Sequence, residues 1–377
     1  MRDPATYSAA PPPLEALDLD RLDTPAMLVD LPAADRNIER MLSRFRGTPI
    51  GVRPHLKTVK SPEFARRLLE AGATGVCVAK LSEAEVMSAA GIDDILITTE
   101  IVGTPKLDRL VRLLYRHPRV RLVVDGVEGA EALQGALGAA GLVVEVLLEL
   151  DVGQRRCGVL PGEPVLALAA HLATLPALRL VGVQGYEGHL QQLEGAERER
   201  RCREALASLA DSAQALCAAG HDVRVVSTAG TGTAAIAQRC PGITEVQPGS
   251  FVFMDTSYRR ALGAEFEPAL SILTTVISRP RPGEAVVDAG LKSLSTDSGF
   301  AEPKSLPGVS YRPAGDEHGI LAWSAAPVGQ PEPRVGDRIE LIPSHIDTTI
   351  NLHDAYHVTS SGRLVATWPV SARGKVQ

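Results

Sequence analysis

Eight short runs rich in β-branched and other apolar residues alternate with helical patterns over the first two thirds of this 377-residue chain. Such alternation predicts repeated βα units around a parallel sheet. The first helix shows the pattern well, because Asp30 can cap it and apolar residues between 38 and 45 recur on one helix face. Eight strands predict an α/β fold of the (β/α)8, or TIM-like, barrel type. We expect them near residues 50–56, 74–79, 94–100, 119–125, 143–151, 178–186, 223–229 and 243–249.

The pattern changes after about residue 265, where short strand-like runs are separated by turns rich in proline and glycine. We therefore predict three parts: an N-terminal arm over residues 1–22, a barrel over 23–265 and a β-rich domain over 266–377. Residues 23–30 can pair with the β-rich domain instead of the barrel. The strands predicted for that domain include residues 276–277, 285–287, 338–342 and 363–367.

Charge, hydropathy and cysteine usage exclude several classes of protein. The formal net charge of −6 is small and dispersed, which argues against nucleic acid or an anionic membrane as partner. No apolar run approaches the ~20 residues of a membrane span, and the first residues lack the apolar segment of a signal peptide. The five cysteines are scattered without a C-x-x-C pair. We therefore expect a cytoplasmic protein without disulfide bonds.

Two glycine-rich loops follow the seventh and eighth predicted strands, where barrels frequently bind phosphate. Backbone amides and hydroxyls in such loops can hold an anion. The alternative is that the glycines only make tight turns. Because both loops follow the expected strands, we favour a phosphate site. The residues predicted for it are Thr228, Gly230, Thr231, Gly232, Gly249 and Ser250.

Lys57 ends the first strand of a barrel with such a phosphate site, so it can form a Schiff base with pyridoxal phosphate. Lys60 competes for this role, but Lys57 shares a strand face with Arg53 and His55. Without the phosphate loops, both lysines would be read as surface residues.

Arg156 and Tyr186 end the fifth and sixth strands. An arginine can keep positive charge beside a cofactor ring, and a tyrosine hydroxyl can hydrogen-bond a ring nitrogen. Alternatively, both are ordinary residues of the barrel rim.

A His-x-Asp triplet, His345 and Asp347, lies in the β-rich part. In an extended segment both side chains would point the same way, about 6.6 Å apart along the backbone. Imidazole with carboxylate and no thiolate suits Mn²⁺, Mg²⁺ or Zn²⁺, with water or substrate completing the coordination. The alternative is a pair of solvated loop residues.

Taken together, the motifs resemble the D-threonine aldolase and D-serine dehydratase family of fold-type III pyridoxal-phosphate enzymes, which is related to alanine racemase. The resemblance covers the chain from about residue 23. It implies a homodimer acting on a small D-amino acid, with Lys57 bound to the cofactor, Tyr186 at the pyridine nitrogen, Arg156 near the ring, and His345 and Asp347 as metal ligands. The motifs, in order, are Arg53-Pro54-His55-Leu56-Lys57, Arg156-Cys157-Gly158-Val159, Gly230-Thr231-Gly232-Thr233, Gly249-Ser250, Asp288-Ala289-Gly290-Leu291-Lys292, Asp316-Glu317-His318-Gly319, Pro343-Ser344-His345-Ile346-Asp347 and Val370-Ser371-Ala372-Arg373-Gly374-Lys375.

Two departures from the family pattern bear on the reaction. Several aldolases have a histidine where this chain has Gln192, and His189 could act as a base in its place, or only pack. The dehydratases pair their metal-binding histidine with a cysteine two residues on, where this chain has Asp347. A carboxylate shifts preference from Zn²⁺ toward Mn²⁺ or Mg²⁺, with Mn²⁺ favoured.

We therefore predict retro-aldol cleavage of D-threonine, or another D-β-hydroxy-α-amino acid, to glycine and an aldehyde. The predicted catalytic residues are Lys57, His189 and Arg156. The alternatives are a D-serine or D-3-hydroxyaspartate dehydratase on the same scaffold, and a non-catalytic pyridoxal-phosphate carrier.

Overall fold

The computed structural model of the protein describes residues 19–117, 119–324 and 331–377. Most of the predicted N-terminal arm, residues 1–18, lies outside these ranges, and Leu19–Arg21 form a single 3-10 turn. Within the described part of the chain, no helix combines the length and hydropathy that a membrane span requires.

The chain first forms a strand, β1 (Ala26–Asp30), and then the predicted first helix, α1 (Leu31–Phe45). The Asp30 carboxylate accepts a hydrogen bond from Ala33 N at 3.1 Å, which satisfies a backbone donor that the helix itself leaves free. The apolar stripe of α1 is buried, as its spacing predicted.

Eight parallel strands follow, and they confirm the predicted barrel. Each pairs with its neighbour in the chain, and the sheet closes where β2 pairs with β9 and where His55 bridges to Cys77. The strands are β2 (Gly51–Val52), β3 (Val76–Val78), β4 (Ile95–Ile97), β5 (Val120–Val124), β6 (Val144–Leu150), β7 (Leu178–Gly185), β8 (Val225–Thr228) and β9 (Glu245–Val246).

Helices surround this barrel because alternate side chains of each strand point outward. In β3, Val76 and Val78 join the large core beneath the helices, whereas Cys77 joins a small apolar cluster with Leu96 and Val123 on the other strand face. The helices are α2 (Pro62–Glu70), α3 (Leu81–Ala89), α4 (Thr104–Arg116), α5 (Val127–Ala139), α6 (Glu163–Leu172), α7 (Gly195–Ala218), α8 (Ala234–Ala237) and α9 (Thr256–Leu262).

Among the other described residues, the chain forms a second, largely antiparallel sheet and one short helix, α10 (Ile346–Ile350). β1 belongs to this sheet, since it pairs with β10 in antiparallel and with β16 in parallel orientation. The remaining strands are β10 (Leu270–Ser278), β11 (Glu284–Val287), β12 (Glu302–Pro303), β13 (Ser310–Pro313), β14 (Gly319–Ala322), β15 (Arg338–Ile342), β16 (Ala355–Ser360) and β17 (Arg363–Pro369).

An aromatic cluster joins the two sheets next to the loop that carries Lys57. The Phe64 ring of α2 meets Phe253, Tyr356 and Trp368 edge to face, at centroid distances of 4.8, 5.3 and 5.2 Å. The Tyr356 hydroxyl also donates to Val59 O at 2.5 Å. This packing fixes the β-rich part over the carboxyl ends of the barrel strands.

Candidate active site

A cavity of about 350 Å³ opens at the carboxyl ends of the barrel strands. Most of the predicted cofactor-binding residues line it, although they come from distant parts of the chain. They are Lys57, Arg156, Tyr186, Gly230, Thr231, Gly249 and Ser250. Thr228 and Gly232 lie behind this wall, and His189 is exposed beside Gly153. The structure therefore brings together the predicted lysine, arginine, tyrosine and loops, but not His189.

Lys57 is positioned by His55, which was predicted only as part of a motif. Burial lowers the pKa of His55 to about 3, with Lys57 adding to the effect, so the imidazole is neutral. Its Nδ1 accepts from Lys57 N at 3.3 Å, and its Nε2 therefore donates to Thr98 Oγ1 at 3.0 Å. These bonds hold the chain directly after β2, where Lys57 enters the cavity.

The Lys57 ammonium contacts one predicted metal ligand. Its Nζ lies 3.0 Å from Asp347 Oδ1, and this carboxylate raises the pKa of Lys57 above its ordinary value. Thr58 Oγ1 donates to both oxygens of Asp347 at 3.2 Å. The predicted cofactor lysine and the predicted metal ligand Asp347 thus meet at one point, although Lys57 follows a barrel strand and Asp347 lies in α10.

Arg156 and Tyr186 form a pair across the cavity wall. The guanidinium carbon of Arg156 lies 6.0 Å from the Tyr186 ring centroid, within the range of a cation–π contact. Burial raises the pKa of Tyr186, so its hydroxyl stays protonated and can exchange hydrogen bonds with a ring nitrogen. The contacts of both residues with a cofactor ring, which the resemblance implies, stay predictions.

A buried polar chain forms one side of the cavity, and the sequence did not predict it. Gln184 Nε2 donates to Glu149 Oε2 at 2.5 Å, and Gln247 Nε2 donates to Gln184 Oε1 and Ser227 Oγ at 2.7 Å each. Burial raises the pKa of Glu149 to about 8, despite the bond from Gln184. The carboxyl group is therefore largely protonated at neutral pH.

The two glycine-rich loops have the shape of an anion cradle, but only some predicted residues face the cavity. Gly230 N donates to Thr233 Oγ1 at 3.0 Å and Gly232 N to Gln191 Oε1 at 2.9 Å, so these two amides are occupied. Within the described ranges, the amides of Thr231, Gly249 and Ser250 have no acceptor from the protein. These three amides fit a phosphate group better than those of Gly230 and Gly232.

Close packing explains why glycine stands at these positions. A Cβ on Gly232 would lie 2.3 Å from Gln191 O, and one on Gly249 would lie 2.8 Å from His55 O. Behind the first loop, the fully buried Glu187 accepts hydrogen bonds from Thr233 and from Gln191 Nε2, the latter at 3.1 Å. The loop is thus held rigidly by residues that sequence reasoning missed.

His345 and Asp347 form a donor pair that fits a divalent cation. The prediction of an extended segment was wrong, because His345 caps α10 and Asp347 lies in its first turn. His345 Nε2 and Asp347 Oδ2 are nevertheless 3.8 Å apart. A cation about 2.0–2.2 Å from each atom can bridge that distance.

A second group of potential ligands lies on the barrel itself. Single ligand atoms of Glu100, Asp125 and Cys157 all lie within 4.8 Å of one another. Burial and the neighbouring Glu100 raise the pKa of the Cys157 thiol to about 11. Because the thiolate is the form that binds metal, this group is less suited to a cation than His345 and Asp347.

Four features together define a fold-type III pyridoxal-phosphate enzyme: the barrel, its lysine, the cradle for a phosphate and the second sheet. The family described as alanine racemase, N-terminal domain, matches residues 29–257, and the putative serine dehydratase domain matches residues 269–359. The chain belongs to this family, whose nearly full-length relatives are lyases. The cofactor is therefore pyridoxal phosphate and the substrate a small amino acid.

Two characterised relatives match almost the whole chain. A D-threonine aldolase of Arthrobacter sp. is 38% identical over 97% of this chain and 97% of its own length. A 3-hydroxy-D-aspartate aldolase of Paracoccus denitrificans is 36% identical over 97% of this chain and 95% of its own.

Two solved structures share the fold at similar coverage. The D-threonine aldolase of Filomicrobium marinum superposes with a TM-score of 0.91 at 40% identity, covering 95% of this chain and 97% of that one. The D-threo-3-hydroxyaspartate dehydratase of Delftia sp. HT23 gives a TM-score of 0.84 at 34% identity, covering 93% and 98%.

Proposed function

We propose that the protein is a metal-dependent aldolase that splits D-threonine, or a related D-β-hydroxy-α-amino acid, to glycine and an aldehyde. The observation that carries this proposal is the position of the metal pair. His345 Nε2 and Asp347 Oδ2 face each other 3.8 Å apart, and Asp347 Oδ1 lies 3.0 Å from Lys57 Nζ. A substrate attached near Lys57 would therefore hold its β-hydroxyl close to the cation.

The chain's own residues have separate roles in this proposal. Lys57 would bind the cofactor covalently, the amides of Thr231, Gly249 and Ser250 would hold its phosphate, and Arg156 with Tyr186 would orient its ring. Pyridoxal phosphate, when bound, supplies an electron sink for the bond that is broken at the substrate α-carbon. Because these groups have fixed positions, they would hold the substrate with its Cα–Cβ bond in one orientation.

A divalent cation would supply Lewis acidity at the β-hydroxyl and lower its pKa. Asp347 would hold this cation with Oδ2, the oxygen that faces His345 Nε2. Because a carboxylate is a hard ligand, we infer Mn²⁺ ahead of Mg²⁺ or Zn²⁺. We propose no catalytic role for His189, because its side chain is exposed and outside the cavity wall.

Dehydration is the second candidate, since the similar Delftia enzyme is a dehydratase. A solved structure of a D-threo-3-hydroxyaspartate dehydratase mutant is described as being in the metal-free form. A metal near the β-hydroxyl serves either reaction, so the products distinguish them.

The test incubates the holoenzyme with Mn²⁺ and a panel of D- and L-β-hydroxy amino acids, and identifies the products. We expect glycine and an aldehyde from D-substrates alone. A 2-oxo acid with ammonia, and no glycine, would instead establish the dehydratase.

Two variants separate the roles of cofactor and metal. Lys57→Ala should abolish the visible absorbance of protein-bound pyridoxal phosphate. Asp347→Ala should keep that absorbance and lose metal-dependent activity. The matched control is Asp354→Ala, which removes an exposed carboxylate from the same part of the chain. Full activity of Asp347→Ala in the presence of a chelator would disprove the metal assignment.

We further infer a homodimer, on the strength of the family resemblance. Light scattering coupled to gel filtration should give twice the chain mass of 39.9 kDa. A single-chain mass would contradict this inference.

A further inference from the structure

Asp297 lies on the side of the His345 ring that faces away from Asp347. Its Oδ2 accepts from His345 Nδ1 at 2.6 Å. Its other oxygen, Oδ1, accepts from Ser295 Oγ at 2.5 Å and from Thr348 Oγ1 at 2.9 Å. The carboxylate is thus fixed at both oxygens, although its side chain is 45% exposed. Thr348 directly follows Asp347 in α10, so Asp297 also contacts the helix that carries the second ligand.

The contact decides which nitrogen of His345 is free to bind a cation. A carboxylate can only accept, so Nδ1 carries the proton that is shared with Asp297. In the neutral ring, Nε2 then presents a lone pair, and it is this nitrogen that lies 3.8 Å from Asp347 Oδ2. Without Asp297, the ring could rotate or adopt the other tautomer, and the donor pair would be lost.

We propose that Asp297 is a positioning residue of the metal site, which fixes the tautomer and orientation of His345. This inference rests on the metal site proposed above. Carboxylates that accept from the second nitrogen of a metal-bound histidine orient the ring and increase its basicity. A purely structural role is the competing explanation, because Asp297 also accepts from Ser298 Oγ at 3.2 Å within its own loop.

The experiment measures Mn²⁺ affinity directly, from the electron paramagnetic resonance signal of free Mn²⁺ during titration of chelator-treated holoenzyme. Four variants are compared with the unchanged protein: Asp297→Ala, Asp297→Asn, His345→Ala and Asp354→Asn. The last is the charge-matched control, since Asp354 is 87% exposed and pairs with Arg373 rather than with the site. The visible absorbance of pyridoxal phosphate and the melting temperature without Mn²⁺ are recorded for each.

We expect Asp297→Ala to weaken Mn²⁺ binding by about 10- to 100-fold. Asp297→Asn should lose less, because its amide oxygen can still accept from Nδ1, although without a charge. Asp354→Asn should bind as the unchanged protein does. Cofactor absorbance and metal-free melting temperature should stay unchanged in both Asp297 variants.

Two results would overturn the inference while leaving the metal site intact. One is that Asp297→Ala binds Mn²⁺ as tightly as the unchanged protein, whereas His345→Ala has lost Mn²⁺ binding. The other is a loss of affinity in Asp297→Ala with an equally clear fall in metal-free melting temperature, which would show a structural role. Unchanged affinity in His345→Ala as well would overturn the metal site itself.

Discussion

Replacing Gly232 by alanine should damage the phosphate cradle selectively. The new Cβ would lie 2.3 Å from Gln191 O, more than 1 Å closer than ordinary van der Waals contact, which begins near 3.4 Å. Gln191 cannot withdraw easily, because its backbone is buried and its side chain donates to Glu187 and Thr233. The loop or its support must therefore shift.

The size of the effect follows from this overlap. Overpacking by one methyl group costs about 1–3 kcal/mol in a well-packed site. For a chain of 377 residues this corresponds to a melting temperature lower by about 1–4 °C. Binding of the cofactor phosphate requires the original loop conformation, so the strain also opposes cofactor binding. Pyridoxal phosphate should then bind about tenfold more weakly for each 1.4 kcal/mol of strain.

The assay combines thermal melting with titration of the apoenzyme by pyridoxal phosphate, followed by visible absorbance. Gly135→Ala is the matched control, because Gly135 is exposed in α5 and a Cβ there meets no atom within 4 Å. That change should stabilise the helix by about 0.5–1 kcal/mol. Unchanged melting temperature and cofactor affinity in Gly232→Ala would refute the reasoning about the cradle.

Two further predictions concern buried charge. The folded protein holds a proton on Glu149, whose pKa burial raises to about 8, whereas the unfolded chain loses that proton near pH 4.3. The free energy of unfolding, measured with urea, should therefore fall as the pH rises from about 5 to about 8, by up to about 1.4 kcal/mol per pH unit relative to Glu149→Gln. Parallel pH profiles of the two proteins would contradict this prediction. Arg53→Ala leaves Glu245 and Asp94 without their buried partner and should cost about 3–5 kcal/mol by the same method. Arg46→Ala, which breaks an exposed pair with Glu39, should leave the free energy of unfolding nearly unchanged. An equal loss in Arg53→Ala and Arg46→Ala would contradict the role of burial.

The barrel could be predicted from sequence because its signals are local. Strands buried on both faces give continuous apolar runs such as Val76–Val78, and α1 shows both its cap and its stripe. Four strands of the second sheet, β12, β13, β14 and β16, gave no such signal. β12 has only two residues, and in β13 and β14 buried side chains alternate with less buried ones over only four residues. Their pairing depends on partners that sequence reasoning could not identify.

The residues of the candidate site that directly follow barrel strands could be predicted from the sequence. Lys57, Arg156 and Tyr186 line the cavity because parallel strands end at one rim. Glu149 was missed because it lies within an apolar strand and faces the cavity only in the closed barrel. Asp297 was missed because its partner, His345, lies 48 residues further along the chain. His189 lies outside the cavity wall for a local reason, since a short 3-10 turn exposes its side chain.

The pairing of β1 has a consequence for how the protein is made. Val29 pairs with Leu270, about 240 residues later, and with Val358 later still. At roughly 5–20 residues per second, a ribosome needs roughly 12–50 s to reach even the first of these partners. During that time β1, whose Met27 and Val29 are fully buried in the finished protein, lacks both of the strands with which it pairs. Because α10 also emerges after the barrel, a nascent chain can complete its barrel before it carries the proposed metal ligands His345 and Asp347.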